Sequence, residues 1–254
     1  MTSFYFGTPF LSKQVAVNWE KSVTMLNSML ASVANQSCKD FHHLIACHEI
    51  PPIKNEYKSF VTFIPVNSSI PQNRAEMLAD KGYKKQVIGH YLHQRVGSAY
   101  LMLLDADDLI HRNLVDYVLE NKSPHGYLIN QGFMYYFGAK KILPLTRNFD
   151  QQCGSCAIFY LTQDELPKTL TDEDNRYSSF KSHRFWGEKA ETEGRPLQAI
   201  PYPAAIYLRT DDISLSSQIV TQKGFKRLKV LAKRFLIEKP ISETIKIDFA
   251  LETQ

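Results

Sequence analysis

Three carboxylates follow directly on the most apolar run in the chain, at Asp105, Asp107 and Asp108. In an extended segment alternate side chains point the same way, so Asp105 and Asp107 should share one side, with Asp108 turned elsewhere. Two carboxylates held a few ångströms apart repel each other unless a cation lies between them. Mg²⁺ and Mn²⁺ prefer such oxygen ligands, and phosphate oxygens commonly complete their shell. The spacing therefore predicts a metal–diphosphate site; the alternative is a solvated acidic turn that caps a helix starting near Asn113.

The four cysteines do not form a disulfide scaffold in a chain of this length. Cys153 and Cys156 have the C-x-x-C spacing of many zinc and redox sites. A structural zinc site usually needs a second close pair, whereas Cys38 and Cys47 are nine residues apart. A thioredoxin-type pair opens a helix, but a strand pattern follows Cys156. The spacing and the following strand therefore favour two cysteines without a chemical role over a zinc or redox site at Cys153 and Cys156.

The acidic turn must be positioned by the elements around it. The run at 100–104 is nearly all apolar and is flanked by helical patterns, which is typical of a central parallel strand buried on both faces. In open α/β sheets, ligands bind beyond the carboxyl ends of such strands. Further strands are predicted at 4–6, 41–47, 60–64 and 126–130, and helices at 19–33, 80–96 and 113–121. This alternation predicts a parallel α/β sheet.

The second half of the chain has a different pattern. Strands are predicted at 133–137, 157–161, 197–200 and 205–208, a polar acidic loop at 169–177, and a helix at 181–194. A basic amphipathic helix is predicted at 223–237, followed by a short tail after Pro240. The sequence contains no repeat and no clear linker, so the simplest organisation is one domain with a nucleotide-binding first half and a variable second half.

The composition is that of an ordinary globular protein, with 254 residues, 44% hydrophobic and 22% charged. With 11 glycines and 12 prolines, collagen-like and disordered classes are excluded. No stretch approaches the roughly 18 consecutive apolar residues that a membrane-spanning helix needs. Residues 1–18 have no basic region ahead of an apolar run, so we expect no secretory signal and a cytoplasmic protein.

Positive charge is concentrated near the C-terminus. Between Lys223 and Lys239 there are seven lysines and arginines and one glutamate, whereas the whole chain carries a net charge of +4. The rest of the chain therefore has no electrostatic reason to bind nucleic acid. The helix predicted at 223–237 suits a peripheral contact with the inner face of an anionic membrane. Its alternative is a helix packed on the domain with a solvated basic face.

The segment 100–108 resembles the D-x-D segment of GT-A glycosyltransferases, most closely of the family-two type. The resemblance covers residues 4–215, and five further parts of the chain follow in matching order. They are a first strand and loop at 4–9, a second strand with its acidic end at 41–49, a lysine-rich segment at 80–85, a small-residue segment at 153–156, and a helix and strand at 181–207. Only the D-x-D segment is specific by itself.

The resemblance implies a GT-A, Rossmann-like α/β fold with a mostly parallel sheet flanked by helices. It places a single glycosyltransferase domain at 1–215, with a nucleotide-sugar-binding half at 1–130 and a mixed acceptor-side half at 131–215. Residues 216–254 would form a C-terminal basic helical extension.

The implied activity is transfer of a sugar from a nucleoside diphosphate sugar to an acceptor hydroxyl. UDP is the nucleotide this family most often uses. Mn²⁺ or Mg²⁺ held by Asp105 and Asp107 would stabilise the diphosphate leaving group, and Asp105 would also serve the ribose. Further nucleotide-binding candidates implied by the resemblance are Pro9, Glu49, Asp80 and Lys84, of which Lys84 could equally be a solvated helix residue.

An inverting transferase needs a general base to take the acceptor proton. Family-two enzymes commonly use an Asp, often in a Glu-Asp pair, where this chain has Ser182-His183-Arg184. His183 is therefore a candidate base, since imidazole can accept a proton at neutral pH, and also a candidate third metal ligand. The alternative is a histidine at a helix start with no chemistry. Glu188, Asp108 and the loop acids at 172–174 are further candidates for the base.

We therefore expect a metal-dependent glycosyltransferase of the hexosyltransferase type, inverting, with a saccharide or lipid-linked acceptor in polysaccharide biosynthesis. One rival is a nucleotide-sugar-binding or membrane-associated protein of the same fold without transferase activity. The other is a nucleotidyltransferase, which would normally have a glycine-rich phosphate loop with a basic residue near the N-terminus. The segment Phe6–Pro9 is a poor match to such a loop.

Overall fold

The computed structural model describes residues 3–180, 182–209 and 237–252. Its strands, in chain order, are β1 (Ser3–Pro9), β2 (Phe41–Cys47), β3 (Val61–Pro65), β4 (Ser98–Leu103), β5 (Leu109–Ile110), β6 (Gly126–Leu128), β7 (Gly132–Tyr136), β8 (Lys141–Leu145), β9 (Ala157–Thr162), β10 (Gln198–Ala199), β11 (Ala205–Arg209) and β12 (Lys239–Pro240). Its α-helices are α1 (Trp19–Ala34), α2 (Arg74–His93), α3 (Leu114–Asn121), α4 (Arg176–Ser179), α5 (Trp186–Thr192) and α6 (Glu243–Phe249).

The larger sheet has seven strands in the order β10-β6-β9-β4-β1-β2-β3. Strands β1 to β4 pair in parallel, whereas β9 is antiparallel to both of its neighbours, β4 and β6. Every residue of β4 except the first is buried, because this strand lies in the middle of the sheet. The predicted α/β class, with a central, mostly parallel sheet flanked by helices, is confirmed.

The carboxyl ends of three parallel strands meet at one edge of this sheet. Gly7 of β1 pairs with Leu103 of β4, and Pro9 pairs with Ala46 of β2. The loops that leave these strands therefore start side by side, and one of them is the acidic turn at Asp105. The register thus places the predicted chemistry at the edge where α/β sheets bind ligands.

A second sheet of five strands has the order β12-β8-β7-β11-β5, and β5, β8 and β12 were not predicted. Helix α6, in the predicted tail, packs on this half: Arg112 N donates to Asp248 O (2.8 Å), and the Phe249 ring meets Phe133 edge-on. Residues 239–249 thus join the same packed body, although the boundary at 215 stays a prediction. Apart from Ile237, the predicted basic helix at 223–237 lies outside the described residues.

Helix α2 begins six residues before its predicted start and ends three before its predicted end. The Asn73 side chain accepts a hydrogen bond from Glu76 N, and the Glu76 carboxylate accepts one from Gln72 N. This reciprocal cap satisfies amide groups that have no partner within the helix. The predicted start at residue 80 did not take this cap into account, so the prediction placed the beginning of α2 too late.

The single helix predicted at 181–194 is wrong, and its first residue lies outside the described part of the chain. A 3-10 turn, His183–Phe185, leads into the shorter helix α5. Trp186 is 1% exposed and anchors this junction against the Phe159 ring of β9. His183 therefore lies on a turn outside the regular helix. None of the helices in the described ranges combines the length and the apolar character needed to cross a bilayer.

We expect the free energy of unfolding to fall as the pH drops below about 6.5, because of the buried His43. Its Nε2 lies 2.8 Å from Thr8 Oγ1, which donates its own hydrogen to Leu104 O. His43 must therefore donate from Nε2, and its bare Nδ1 is buried without a hydrogen-bond partner among the described residues. Burial lowers the pKa of His43 to about 3, so only the unfolded chain takes up the proton near pH 6.5.

The free energy of unfolding should fall by up to about 1.4 kcal/mol per pH unit between pH 6 and pH 4. It is measured by urea unfolding at pH 7, 6 and 5 in the wild type and in His43→Gln, which cannot titrate. An equal pH dependence in both proteins would contradict the assignment.

Candidate active site

The acidic residues form a tight turn at the end of β4. Asp108 N donates to Asp105 O (3.1 Å), so the chain does not continue as the extended segment assumed from the sequence. Asp105 and Asp107 remain partly exposed, whereas Asp108 is only 1% exposed. The turn thus separates the three acids into an accessible pair and one buried carboxylate.

Asp108 holds the second half of the chain against this turn. Its Oδ2 accepts hydrogen bonds from Ser155 Oγ (2.6 Å) and Cys153 Sγ (3.1 Å), and its Oδ1 accepts one from Leu208 N (3.3 Å). Ser155 Oγ also accepts from Asp105 N (2.9 Å). Since its oxygens are occupied by protein donors, the placement gives Asp108 a positioning role and does not favour the base role expected from sequence. Cys153 and Cys156 are free, buried thiols, and Cys153 has a structural use here.

Two lysines of α2, neither of them a predicted site residue, face the acidic turn. Lys81 Nζ lies 2.7 Å from Asp105 Oδ1. Lys85, one helical turn further on, is close enough to both groups to affect their titration. Burial and the neighbouring Lys81 lower the pKa of Lys85 to about 8. The turn therefore carries two carboxylates and two ammonium groups in one place.

The predicted nucleotide or phosphate ligands on the same helix, Asp80 and Lys84, are occupied with each other. Lys84 Nζ lies 2.6 Å from Asp80 Oδ2, and the Lys84 side chain is 1% exposed. Asp80 also lies near the His48 ring (3.7 Å) and Ser68 Oγ (3.5 Å). This cluster joins α2 to β2 and to the segment after β3, so the geometry gives Lys84 a structural role.

The two accessible acids have opposite pKa shifts. Burial raises the pKa of Asp105, but Lys81 and then Lys85 outweigh it, so the net shift is downward. Burial and the Asp105 charge together raise the pKa of Asp107 from 3.8 to about 6, against the opposing effect of Lys81. The protein therefore leaves Asp107 short of positive charge, which is the condition that a bound cation would relieve.

His183 and Asp105 both lie close to Gly154, so His183 is near the acidic turn. A methyl group placed on Gly154 would lie 3.2 Å from Asp105 Oδ2 and 3.9 Å from His183 Nδ1, so the glycine keeps the space between them open. His183 Nε2 is buried and has no hydrogen-bond partner among the described residues. Burial lowers the pKa of His183, although Asp105 opposes the shift, so the ring is neutral at pH 7. By contrast, Glu188 is exposed on α5.

These groups fit a divalent ion chemically, although they are not arranged as a finished shell. Across residues 3–180, 182–209 and 237–252, no three histidine, cysteine or acidic side chains are already gathered as ligands. The fit rests instead on the carboxylate of Asp105, the poorly compensated Asp107 and the Nδ1 atom of His183, which lies near Gly154. Lys81 would have to leave Asp105 for an ion to take that position.

Glu49 and Pro9 lie where β2 and β1 end, at the same sheet edge as the acidic turn. Pro9 ends β1, and Glu49 accepts hydrogen bonds from Ser12 Oγ (2.9 Å) and Lys13 N (3.0 Å) in the loop that follows β1. Burial raises the pKa of Glu49, but these hydrogen bonds lower it by more, so the net shift is downward and the carboxylate stays charged. A cavity of about 350 Å³ adjoins this loop; its walls are Gln14, Val15, Ile70, Pro71, Gln72 and Met77.

A larger cavity of about 520 Å³ lies elsewhere; two of the loop acids, Glu173 and Asp174, line it, but no residue of the acidic turn does. Its charged walls are already tied together, since Arg176 pairs with Glu193 (3.1 Å) and Arg195 pairs with Glu165. We therefore place the candidate site at the acidic turn, where charges of both signs remain uncommitted to structure.

No family model matches the sequence, and no curated protein matches it. Among solved structures, the chain is similar to S. aureus TarS, with 9% identity and a TM-score of 0.42 over 97% of this chain and 41% of that one. It is also similar to the glycosyltransferase GlyE of Streptococcus pneumoniae TIGR4, with 9% identity and a TM-score of 0.38 over 94% of this chain and 65% of that one. The chain thus spans less than two thirds of either protein. Similarity at this level does not assign an activity.

Proposed function

We propose that this protein is a glycosyltransferase that uses a nucleoside diphosphate sugar, with UDP as the expected nucleotide, and a divalent ion. The observation that carries the proposal is the charge arrangement at the acidic turn. Asp105 and Asp107 offer oxygen ligands, Asp107 lacks a full counter-charge, and the ammonium groups of Lys81 and Lys85 lie beside them. A cation and a diphosphate together complement this set better than either does alone.

In the proposed reaction, the bond between the anomeric carbon and the diphosphate oxygen breaks, and the acceptor oxygen forms a new bond to that carbon. The diphosphate leaves with the electron pair, so negative charge grows on its oxygens. Mn²⁺ or Mg²⁺ held by Asp105 and Asp107 would stabilise that charge. Lys81 and Lys85 add positive charge at the same place, which lowers the barrier only to the extent that it favours the leaving group over the donor.

The acceptor proton needs a base, and His183 is the candidate that the geometry favours. Its neutral ring can accept a proton, and Gly154 leaves open the space between it and Asp105. His183 can instead complete the metal shell through Nδ1, the nitrogen near Gly154, in which case Glu188 or the loop acids at 172–174 remain as candidates. An inverting outcome stays part of the proposal.

The nucleotide is proposed to occupy the cavity lined by Gln14 and Val15 of the loop after β1, with the ribose toward Asp105. The proposed acceptor is a saccharide or a lipid-linked saccharide, and the basic segment at 223–239 would bring the protein to the inner membrane face. The rival function is binding of a nucleotide sugar without transfer. It is favoured by one observation, that Ser182-His183-Arg184 stands where the resemblance expects an acidic base.

We expect one nucleoside diphosphate to stabilise the protein against heat, and only when Mn²⁺ is present. A ligand at about 100 times its dissociation constant adds about 2.7 kcal/mol to the apparent stability. For a chain of this size, that should raise the Tm by roughly 5–10 °C. Thermal-shift titration with UDP, GDP, ADP and CDP, each with and without Mn²⁺, measures it.

The same screen is then repeated with the matching nucleotide sugars, and release of the free nucleoside diphosphate is followed. Stabilisation with release supports a transferase, and stabilisation without release, in the presence of varied saccharide acceptors, supports the rival. The absence of a shift with every pair would overturn both.

A further inference from the structure

The ion pair between Lys81 and Asp105 occupies the centre of the proposed metal site. The two side chains are 36% and 30% exposed, and their charged atoms lie 2.7 Å apart. A divalent ion on Asp105 would meet the Lys81 ammonium at close range, and two cations repel strongly in a partly buried cleft. Lys81 and the ion therefore compete for the same carboxylate.

The Lys81–Asp105 pair is more exposed than the other close lysine pair on the same helix, Lys84–Asp80. Lys84 is buried and bonded to Asp80, four residues away on the same helix, so that pair is fixed by the helix itself. Lys81 bonds to a carboxylate on a different element and keeps a third of its side chain in solvent. A lysine carries its charge on a flexible four-carbon stem, which lets the ammonium group reach a new partner without movement of the backbone.

The charges around the turn indicate what that new partner is. The two ammonium groups of Lys81 and Lys85 match in number the two accessible carboxylates of Asp105 and Asp107, and Lys81 is paired with Asp105. A divalent ion alone adds two positive charges, and a diphosphate alone adds negative charge beside two carboxylates. Bound together, they restore the balance, and the ammonium displaced from Asp105 finds phosphate oxygens within the same cleft.

We propose that Lys81 is an exchangeable counterion: it neutralises Asp105 in the free protein and transfers to the donor diphosphate when a divalent ion binds Asp105. This inference rests on the proposed function and deepens it, since it makes metal binding and diphosphate binding cooperative. Lys81 is then a positioning residue for the metal and a ligand of the diphosphate.

The exchange predicts effects of opposite sign in Lys81→Gln. Without its competitor, Mn²⁺ alone should bind about tenfold more tightly, because Asp105 no longer has a bonded cation. Inorganic pyrophosphate in the presence of saturating Mn²⁺ should bind about tenfold more weakly, because a charged ligand is lost. Both affinities are measured by isothermal titration calorimetry, and free Mn²⁺ is checked by electron paramagnetic resonance. Lys58→Gln removes the same charge at an exposed position and should change neither affinity.

Two further variants show whether the effects of Lys81→Gln come from the lost charge or from misfolding. Lys81→Met should repeat the pattern of Lys81→Gln, and Lys81→Arg should stay near the wild type in both titrations; thermal melts of the ligand-free proteins establish that each is folded. Suppose that the wild type binds both ligands. If Lys81→Gln and Lys81→Met then shift both affinities in the same direction, or shift neither, the exchange is overturned. The proposed function stands in that case. If the wild type binds neither Mn²⁺ nor pyrophosphate with Mn²⁺, the proposed function fails and this inference falls with it.

Discussion

Asp107→Ala is expected to lower the rate of donor-sugar turnover by roughly a thousandfold. The replacement removes one of the two carboxylates proposed to hold the divalent ion, and so removes charge stabilisation that matters most as the diphosphate leaves. The assay follows release of the nucleoside diphosphate from the nucleotide sugar identified by thermal shift. The nucleotide- and Mn²⁺-dependent stabilisation should disappear in the same variant.

The matched control is Asp164→Ala, which makes the same chemical change at an exposed acid beyond β9. It should leave turnover within about twofold of the wild type. If Asp107→Ala retained most of the turnover while Mn²⁺ was still required, the metal would have to be held elsewhere, and the role proposed for the acidic turn would be wrong.

The ligand-free stability of Asp107→Ala should change in the other direction. The folded protein raises the pKa of Asp107 from 3.8 to about 6, so the charged form is disfavoured relative to the unfolded chain. That cost is absent below pH 4 and fully present above pH 6, so at pH 7 the variant should gain on the order of 2 kcal/mol. A loss of activity with a gain in stability would mark Asp107 as a functional group held in an unfavourable setting.

The position of the acidic turn could be predicted from sequence because its neighbours obey strong local rules. A continuous apolar strand is buried on both faces, and the register of β1 and β4 then places Asp105 at the ligand-binding edge. The alternation argument for Asp108 used the wrong local geometry, since the acids close a turn. Which carboxylate is buried depends on Ser155 and Leu208, about 50 and 100 residues away along the chain.

The lysines could not be assigned in the same way. Lys81, Lys84 and Lys85 lie within five residues, and only the rotation of α2 decides which of them face the turn. The prediction took Lys84 from the resemblance and began this helix at residue 80, without the Asn73 cap. The structure instead gives Lys84 to Asp80, an intrahelical pair at i,i+4 that the sequence did offer as a signal.

The elements of the second half were harder to predict because their pairing is remote in sequence. Strand β8 is short and contains Pro144, and its partner β12 lies almost 100 residues later. Local patterns say little about such pairings, which only the closed sheet defines. The helix predicted at 181–194 is wrong for a similar reason. The buried Trp186 fixes the start of α5, which the helical spacing of the apolar residues did not indicate.

Asp108→Ala is expected to unfold far more easily than Asp107→Ala, although the two acids are adjacent. Asp108 accepts hydrogen bonds from Ser155, Cys153 and Leu208, and all of these groups are buried. Without the carboxylate, the Ser155 hydroxyl and the Leu208 amide lose their acceptor, and each unsatisfied buried donor costs about 1–3 kcal/mol. Burial and the charges of Asp107 and Asp105 raise the pKa of Asp108, which offsets part of this cost at pH 7. The net loss should be about 3 kcal/mol, or a Tm lower by roughly 10 °C.

Ser155→Ala separates the positioning role of Asp108 from catalysis. It removes one donor to Asp108 and the acceptor for Asp105 N, but leaves all three acids in place. We expect it to lower the Tm by a few degrees and to weaken nucleotide–Mn²⁺ binding several-fold, because the Asp105 backbone loses its support. If Asp108 were instead the general base, Asp108→Asn would abolish turnover while nucleotide–Mn²⁺ stabilisation stayed at the wild-type level. Loss of both together, in proportion to the loss of stability, is the signature of a residue that holds the acidic turn in place.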